Sequence, residues 1–104
     1  MRRAAKVDQN HADIVKALRT RGATVQSLAA IGKGCPDLLV GYKKVTILIE
    51  VKDGSKPPSQ RKLTPDQLDW MTNWAGMPVV VANGIDDVIK LLEAIDEYAR
   101  NQCQ

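Results

Sequence analysis

Apolar and polar positions along the chain alternate between two periods, and the switches between them mark the elements. Over residues 10–21 His11, Ile14, Val15 and Leu18 fall on one stripe at helical spacing, and Gly22 follows where a helix ends on a left-handed residue. Residues 23–30 predict a strand of poor alternation, and Ile31-Gly32-Lys33-Gly34-Cys35-Pro36 a flexible loop. Residues 37–41 and 45–52 predict two further strands joined by a turn at Tyr42-Lys43-Lys44. The second is apolar on both faces until its end, the pattern of a central strand covered on both sides. An exposed loop with Pro57 and Pro58 follows, because neither proline can join a ladder.

The next helix carries its own start signals. Thr64 is an N-cap, Pro65 takes the first helical position and Gln67 completes a capping box, with Leu63 and Leu68 placed as a hydrophobic staple. Gly76 closes this helix after Trp70 and Trp74, which four-residue spacing predicts as core. Residues 77–82 predict a short buried strand, and Asn83-Gly84 a turn into a last helix with Ile85, Val88, Ile89, Leu92 and Ile95 on its face. The predicted order is αβββαβα, an α/β fold with helices packed on a small mixed sheet.

The length, 104 residues with 44% hydrophobic and 26% charged, fits one domain over residues 1–104. Its core is expected at about 8–98, between a short basic N-terminal tail and a polar C-terminal one. No run is long enough to cross a membrane, and no signal-peptide core follows the basic start. Cys35 and Cys103 stand too far apart, without a second pair, for a disulfide framework or a structural zinc site, so the expected compartment is the cytoplasm.

The net charge of +3 hides a segregation. Residues 1–21 and 43–62 each carry six basic against two acidic residues, while from Asp66 onward Lys90 and Arg100 face seven acids. Such a division suits a polyanion on one face; solvated surface charge is the plainer account.

Glu50 and Lys52 break the apolar run of the central strand. Two residues apart, they project from one face with Cα atoms about 6.5 Å apart. A hairpin between the two strands brings Asp37, at the start of one, beside both. Two carboxylates at one point repel, which a cation or a raised pKa resolves. Oxygen ligands alone select a hard cation, magnesium or manganese. Lys52 beside it could orient a water and offset charge on a scissile phosphate. On spacing alone, strand-end residues reaching solvent with a weak Glu50–Lys52 ion pair explain the pattern equally well.

At these residues the chain resembles a known family. Pro36-Asp37, twelve residues, then Glu50-Val51-Lys52 is similar to the PD-(D/E)XK nuclease motif. The strings Gly34-Cys35-Pro36-Asp37-Leu38-Leu39-Val40, Glu50-Val51-Lys52-Asp53-Gly54 and Leu63-Thr64-Pro65-Asp66-Gln67 resemble its VRR-NUC branch, over about residues 8–95. The resemblance implies a restriction-endonuclease-like αβββαβα core. It implies that Asp37 and Glu50, with the backbone carbonyl of Val51, ligate Mg2+ or Mn2+, and that Lys52 is the catalytic lysine. Gln67 matches a recurrent active-site glutamine of the family, although the capping box already accounts for it locally. Where many relatives carry a metal-proximal glutamate on the first helix, this chain has His11, which its apolar stripe equally explains as a packed residue.

The function this implies is a divalent-metal-dependent DNA endonuclease, with Lys33, Lys43, Lys44, Lys56, Arg61 and Lys62 holding the DNA backbone. Nothing resembles a recognition helix, so structure-specific cutting of branched DNA or a Holliday junction is expected rather than sequence-specific cutting. Stand-alone relatives imply a homodimer and a phage-type gene acting in the bacterial cytoplasm. Two other readings stay open: a non-catalytic nucleic-acid-binding module, and a nuclease subunit needing a helicase, recombination or replication partner.

Overall fold

In a computed structural model, which describes residues 9–102, the chain forms a four-stranded mixed sheet flanked by helices. The N-terminal residues 1–8, with Arg2, Arg3 and Lys6, and Cys103 lie outside the described residues. The elements are α1 (Gln9–Thr20), β1 (Thr24–Ser27), β2 (Leu38–Tyr42), β3 (Val45–Val51), a 3-10 turn (Pro58–Gln60), α2 (Pro65–Asn73), β4 (Val80–Ala82) and α3 (Ile85–Gln102). Strand order in the sheet is β1-β2-β3-β4; the first two pairings are antiparallel, and β3–β4 is parallel. No described helix is long and apolar enough to cross a membrane.

Helix α1 stops as its sequence dictates. Gly22 takes φ +98°, its N–H donates to the Arg19 carbonyl at 3.0 Å, and the Ala23 N–H donates to that of Leu18 at 3.0 Å. These are the two bonds of a Schellman motif. Ile14 and Leu18 on α1, and Val88, Leu92 and Ile95 on α3, are buried against Leu38, Val40, Ile47, Ile49 and Ala82 of the sheet. Each large side chain so placed contributes about 1.5–3 kcal/mol of hydrophobic stabilisation before entropy is subtracted.

The other sheet face is only partly covered. Leu39 is 36% exposed and Val81 37%, and α2, which lies on that side, has no buried residue. The expectation of a strand buried on both faces is therefore corrected: strand parity sends Ile47 and Ile49 into the core, while Thr46 and Leu48 look to the sparsely covered side. Three further expectations fail for the same reason. Trp74 is 45% exposed and Trp70 only half-buried, so neither is core. Leu68 is half-exposed at 51%, so the staple position gains no burial. The predicted buried strand over 77–82 shrinks to Val80–Ala82, leaving Met77 72% exposed. The first strand likewise shrinks from 23–30 to Thr24–Ser27.

The β2–β3 hairpin turns through Lys43 and Lys44, at φ +49° and +70°. A two-residue turn needs positive φ at both centres to match strand twist, and lysine adopts it at a cost. The Lys43 ammonium offsets some of this by meeting Asp96 of α3 at 2.7 Å, where the Tyr42 hydroxyl also donates at 2.8 Å. Lys44 has no such partner among the described residues, so Lys44→Gly is expected to stabilise the protein by about 1 kcal/mol. A rise of several degrees in the thermal midpoint would bear this out, and an unchanged or lower one would refute it.

Candidate active site

Parity and register build the site. Leu38 pairs with Ile49 on the core face, so the preceding Asp37 and the following Glu50 both fall on the opposite face at the same end of the sheet. The Val51 N–H donates to Asp37 Oδ2 at 2.8 Å, and the Leu28 N–H donates to the Asp37 carbonyl at 2.8 Å, fixing both ends of that residue. Lys52, one residue beyond β3, follows Glu50 on the same face and donates its own N–H to the Ala82 carbonyl.

Gln67 closes the cluster from above. Its Nε2 donates to Glu50 Oε2 at 3.0 Å and its Oε1 accepts from Lys52 Nζ at 2.8 Å. The same Oε1 accepts from the Thr64 N–H at 2.9 Å, while the Gln67 N–H donates to Thr64 Oγ1 at 3.1 Å. A carboxamide oxygen has two lone pairs, so one side chain completes the capping box and holds Lys52 at once. The cap and the site are not alternatives.

Helix α2 reaches this position through Gly34. At φ +82° its hypothetical Cβ would lie 2.2 Å from the Asp66 carbonyl oxygen, so only glycine lets the 29–36 loop pass the start of α2.

Glu50 is the electrostatic extreme of the described residues. It is 2% exposed, and its Oε1 is buried with no hydrogen-bond partner. Burial first, then the Asp37 charge, pushes its carboxyl up to about 8. Lys52 pulls the other way, but its Nζ stands 3.9 Å from Glu50 Oε2 and is committed to Gln67. The Cys35 thiol beside them is raised too, by burial and then by the two carboxylates, so nothing activates it.

The orphaned Oε1 and the mutual repulsion of two carboxylates fit a hard cation bound between Asp37 and Glu50. Among the described residues, no group of three or more acidic, histidine or cysteine side chains is placed to hold a metal ion. His11 is half-buried on α1. The α1 contact recorded at this end comes instead from its neighbour Asn10, whose Nδ2 donates to the Lys52 carbonyl at 2.6 Å and to that of Asn83 at 3.3 Å. Sequence reasoning missed Asn10, because a polar residue in the first turn of a helix carries no signal of a partner 42 positions away.

The basic residues divide. Lys33 lies on the loop beside α2. Lys56, Arg61 and Lys62 lie on the segment leading from Lys52 to the Thr64 cap, with Arg61 Nε donating to the Lys56 carbonyl. Lys43 and Lys44 sit at the far end of β3, about 20 Å from Glu50 at 3.3 Å per residue, and Lys43 is paired with Asp96. Comparisons of the chain with protein-family models, with curated proteins and with solved structures found no match.

Two outcomes are expected. Without divalent cations the folded state binds a proton at Glu50 that the unfolded state releases near 4.5, so stability falls as pH rises from there toward 8. Glu50→Gln should flatten this slope in thermal melts run with a chelator; an equally steep slope would refute the assignment. Gly34→Ala should displace the start of α2, and Gln67 with it. It should therefore cost ligand binding at the site more than it costs stability, because no residue of α2 is fully buried. A variant that binds divalent cations as wild type does, by calorimetry, would count against this.

Proposed function

We propose that the chain is a divalent-metal-dependent DNA endonuclease of the VRR-NUC type, built on a restriction-endonuclease-like core. The observation that carries the reading is the convergence of Asp37, Glu50, Lys52 and Gln67 in one hydrogen-bonded cluster around a buried, unpartnered carboxylate oxygen. The element order and the sheet, antiparallel through β3 and parallel into β4, support the same core.

Asp37 and Glu50, with the Val51 carbonyl, would hold the cation. Its chemistry when bound is neutralisation of the two carboxylates and polarisation of a phosphoryl oxygen. The chain's own residues supply the rest. Lys52, its side chain 13% exposed and its ammonium fixed by Gln67, stands where it can orient the attacking water and offset the charge that builds on the phosphate. Gln67 is a positioning residue that holds Lys52 against Glu50. Asn10, bonded to the Lys52 carbonyl, fixes the backbone beneath it. Lys33, Lys56, Arg61 and Lys62 are available to phosphates around this end of the sheet.

The substrate we propose is branched DNA, cut by structure rather than sequence, since no described helix has the setting of a major-groove reader. A homodimer would present two such sites to a junction.

The test is a gel assay on linear, flapped, nicked and four-way-junction DNA with magnesium, manganese or EDTA. Lys52→Ala and Asp37→Asn are expected to abolish cutting while circular dichroism stays that of wild type, because neither side chain belongs to the apolar core. Metal-dependent cutting that survives Lys52→Ala would overturn the site. DNA binding without cutting by wild type would favour the non-catalytic module or the partner-dependent subunit.

A further inference from the structure

Trp70 and Trp74 are the only tryptophans of the chain, and the cluster at Asp37, Glu50 and Lys52 uses neither. They stack on each other with ring centroids 4.8 Å apart and planes inclined by 18°. An aromatic side chain offers the largest apolar area a core can bury, yet Trp74 is 45% exposed and no residue of α2 is fully buried. The pair therefore forms a surface feature, not a core one.

With Lys33, Asp66, Asp69 and Asn73 the two indoles line an open cleft of about 630 Å³. The close passage of Gly34 at Asp66 brings Lys33 to its lip. The cleft adjoins the Glu50–Lys52 cluster, because Trp70 follows Gln67 by about one turn of α2 and Trp74, the residue that ends the helix, stacks on Trp70. Trp70 lies about 4.5 Å beyond Gln67 along the helix axis, at 1.5 Å per residue.

Charge decides which part of a nucleotide can enter. Asp66 and Asp69 repel phosphate, and Lys33 is the single cation that the described residues bring to the lining, so a sugar-phosphate backbone is disfavoured inside the cleft. A base suits it: an indole face offers stacking, and carboxylates accept from exocyclic amino groups. The base must be unpaired, since a duplex already stacks both faces and occupies the pairing edge.

Resting on the nuclease reading of the adjoining cluster, we propose that this cleft takes an unpaired base of the DNA strand being cut, stacked on the Trp70–Trp74 pair, with Lys33 meeting its phosphate at the rim. The site thus reads the unstacked nucleotides that distinguish branched DNA from plain duplex.

Both tryptophans line the cleft, so fluorescence excited on the red edge, where Tyr42 and Tyr98 do not absorb, reports on it. The experiment titrates the full chain in EDTA with a short single-stranded oligonucleotide and, separately, with the blunt duplex of the same sequence. The single strand is expected to quench emission and the duplex to leave it nearly unchanged. Trp74→Ala should weaken single-strand binding roughly 5- to 150-fold, and Trp74→Phe should restore most of it. Thermal melts of both variants should match wild type, since Trp74 lies outside the core.

Binding of the single strand without quenching, or wild-type affinity in Trp74→Ala, would overturn the proposal. A change in sedimentation of Trp74→Ala with unaltered DNA affinity would also overturn it, making the pair an interface between copies of the chain. Magnesium-dependent cutting of branched DNA, measured on the same preparations, separates this inference from the reading beneath it. Cutting without quenching removes the cleft assignment alone. Quenching without cutting leaves the cleft as a base-binding site and replaces the stand-alone nuclease with the non-catalytic module or the partner-dependent subunit.

Discussion

A buried carboxylate with one unpartnered oxygen sets the terms for this end of the molecule. Glu50 lies among apolar strand residues where its ionised form is poorly solvated, and Asp37 across the ladder makes ionisation harder still. Such a group persists only where its surroundings are assembled to answer it. Gln67 donates to one oxygen, Lys52 stands within 4 Å of the same oxygen, and the other oxygen is left buried without a partner. Each of these contacts is polar, so the cluster is held by geometry and charge with little apolar burial behind it.

That dependence explains how α2 can be so sparingly attached. It contributes no buried residue to the core, yet its first turn is fixed by the capping box, the Gly34 passage and three hydrogen bonds from one glutamine side chain. The core proper belongs to α1, α3 and one sheet face, and it would remain if α2 moved. Stability and site assembly are thereby separated: the first rests on Ile14, Leu18, Ile49 and Leu92, the second on Gln67.

Much of this was legible in the chain. The order of elements, the Gly22 stop and the Thr64–Gln67 capping box follow from local rules that act over four or five residues, and the structure obeys them. The meeting of Asp37 with Glu50 followed from strand parity and a short hairpin. What stayed hidden depends on tertiary placement. The four-residue spacing of Trp70 and Trp74 predicts a shared helix face but not whether anything covers it. Strand 45–52 reads as apolar on both sides, although nothing in its residues says that one layer is incomplete. Asn10 offered no local signal at all, since its partners arrive from two distant segments.

The Gln67 result carries a more general point about reading such motifs. A residue with a sufficient local explanation is easily set aside as structural, on the reasoning that one role accounts for its presence. Here the local role also places the contact with the cluster. The cap bond from Thr64 directs the Gln67 oxygen, and the second lone pair of that oxygen is then aimed at Lys52. Because the helix start is determined by Thr64 and Pro65, and its approach to the sheet by Gly34, the amide comes to Glu50 already oriented. Little rotamer entropy is then left to lose when Gln67 contacts the cluster. A glutamate at the same position could complete the capping box equally well. It would bring a third negative charge to Asp37 and Glu50 and lose the donor that Glu50 Oε2 uses. The requirement for a carboxamide, not merely for a capping residue, is thus a property of the buried carboxylate it serves.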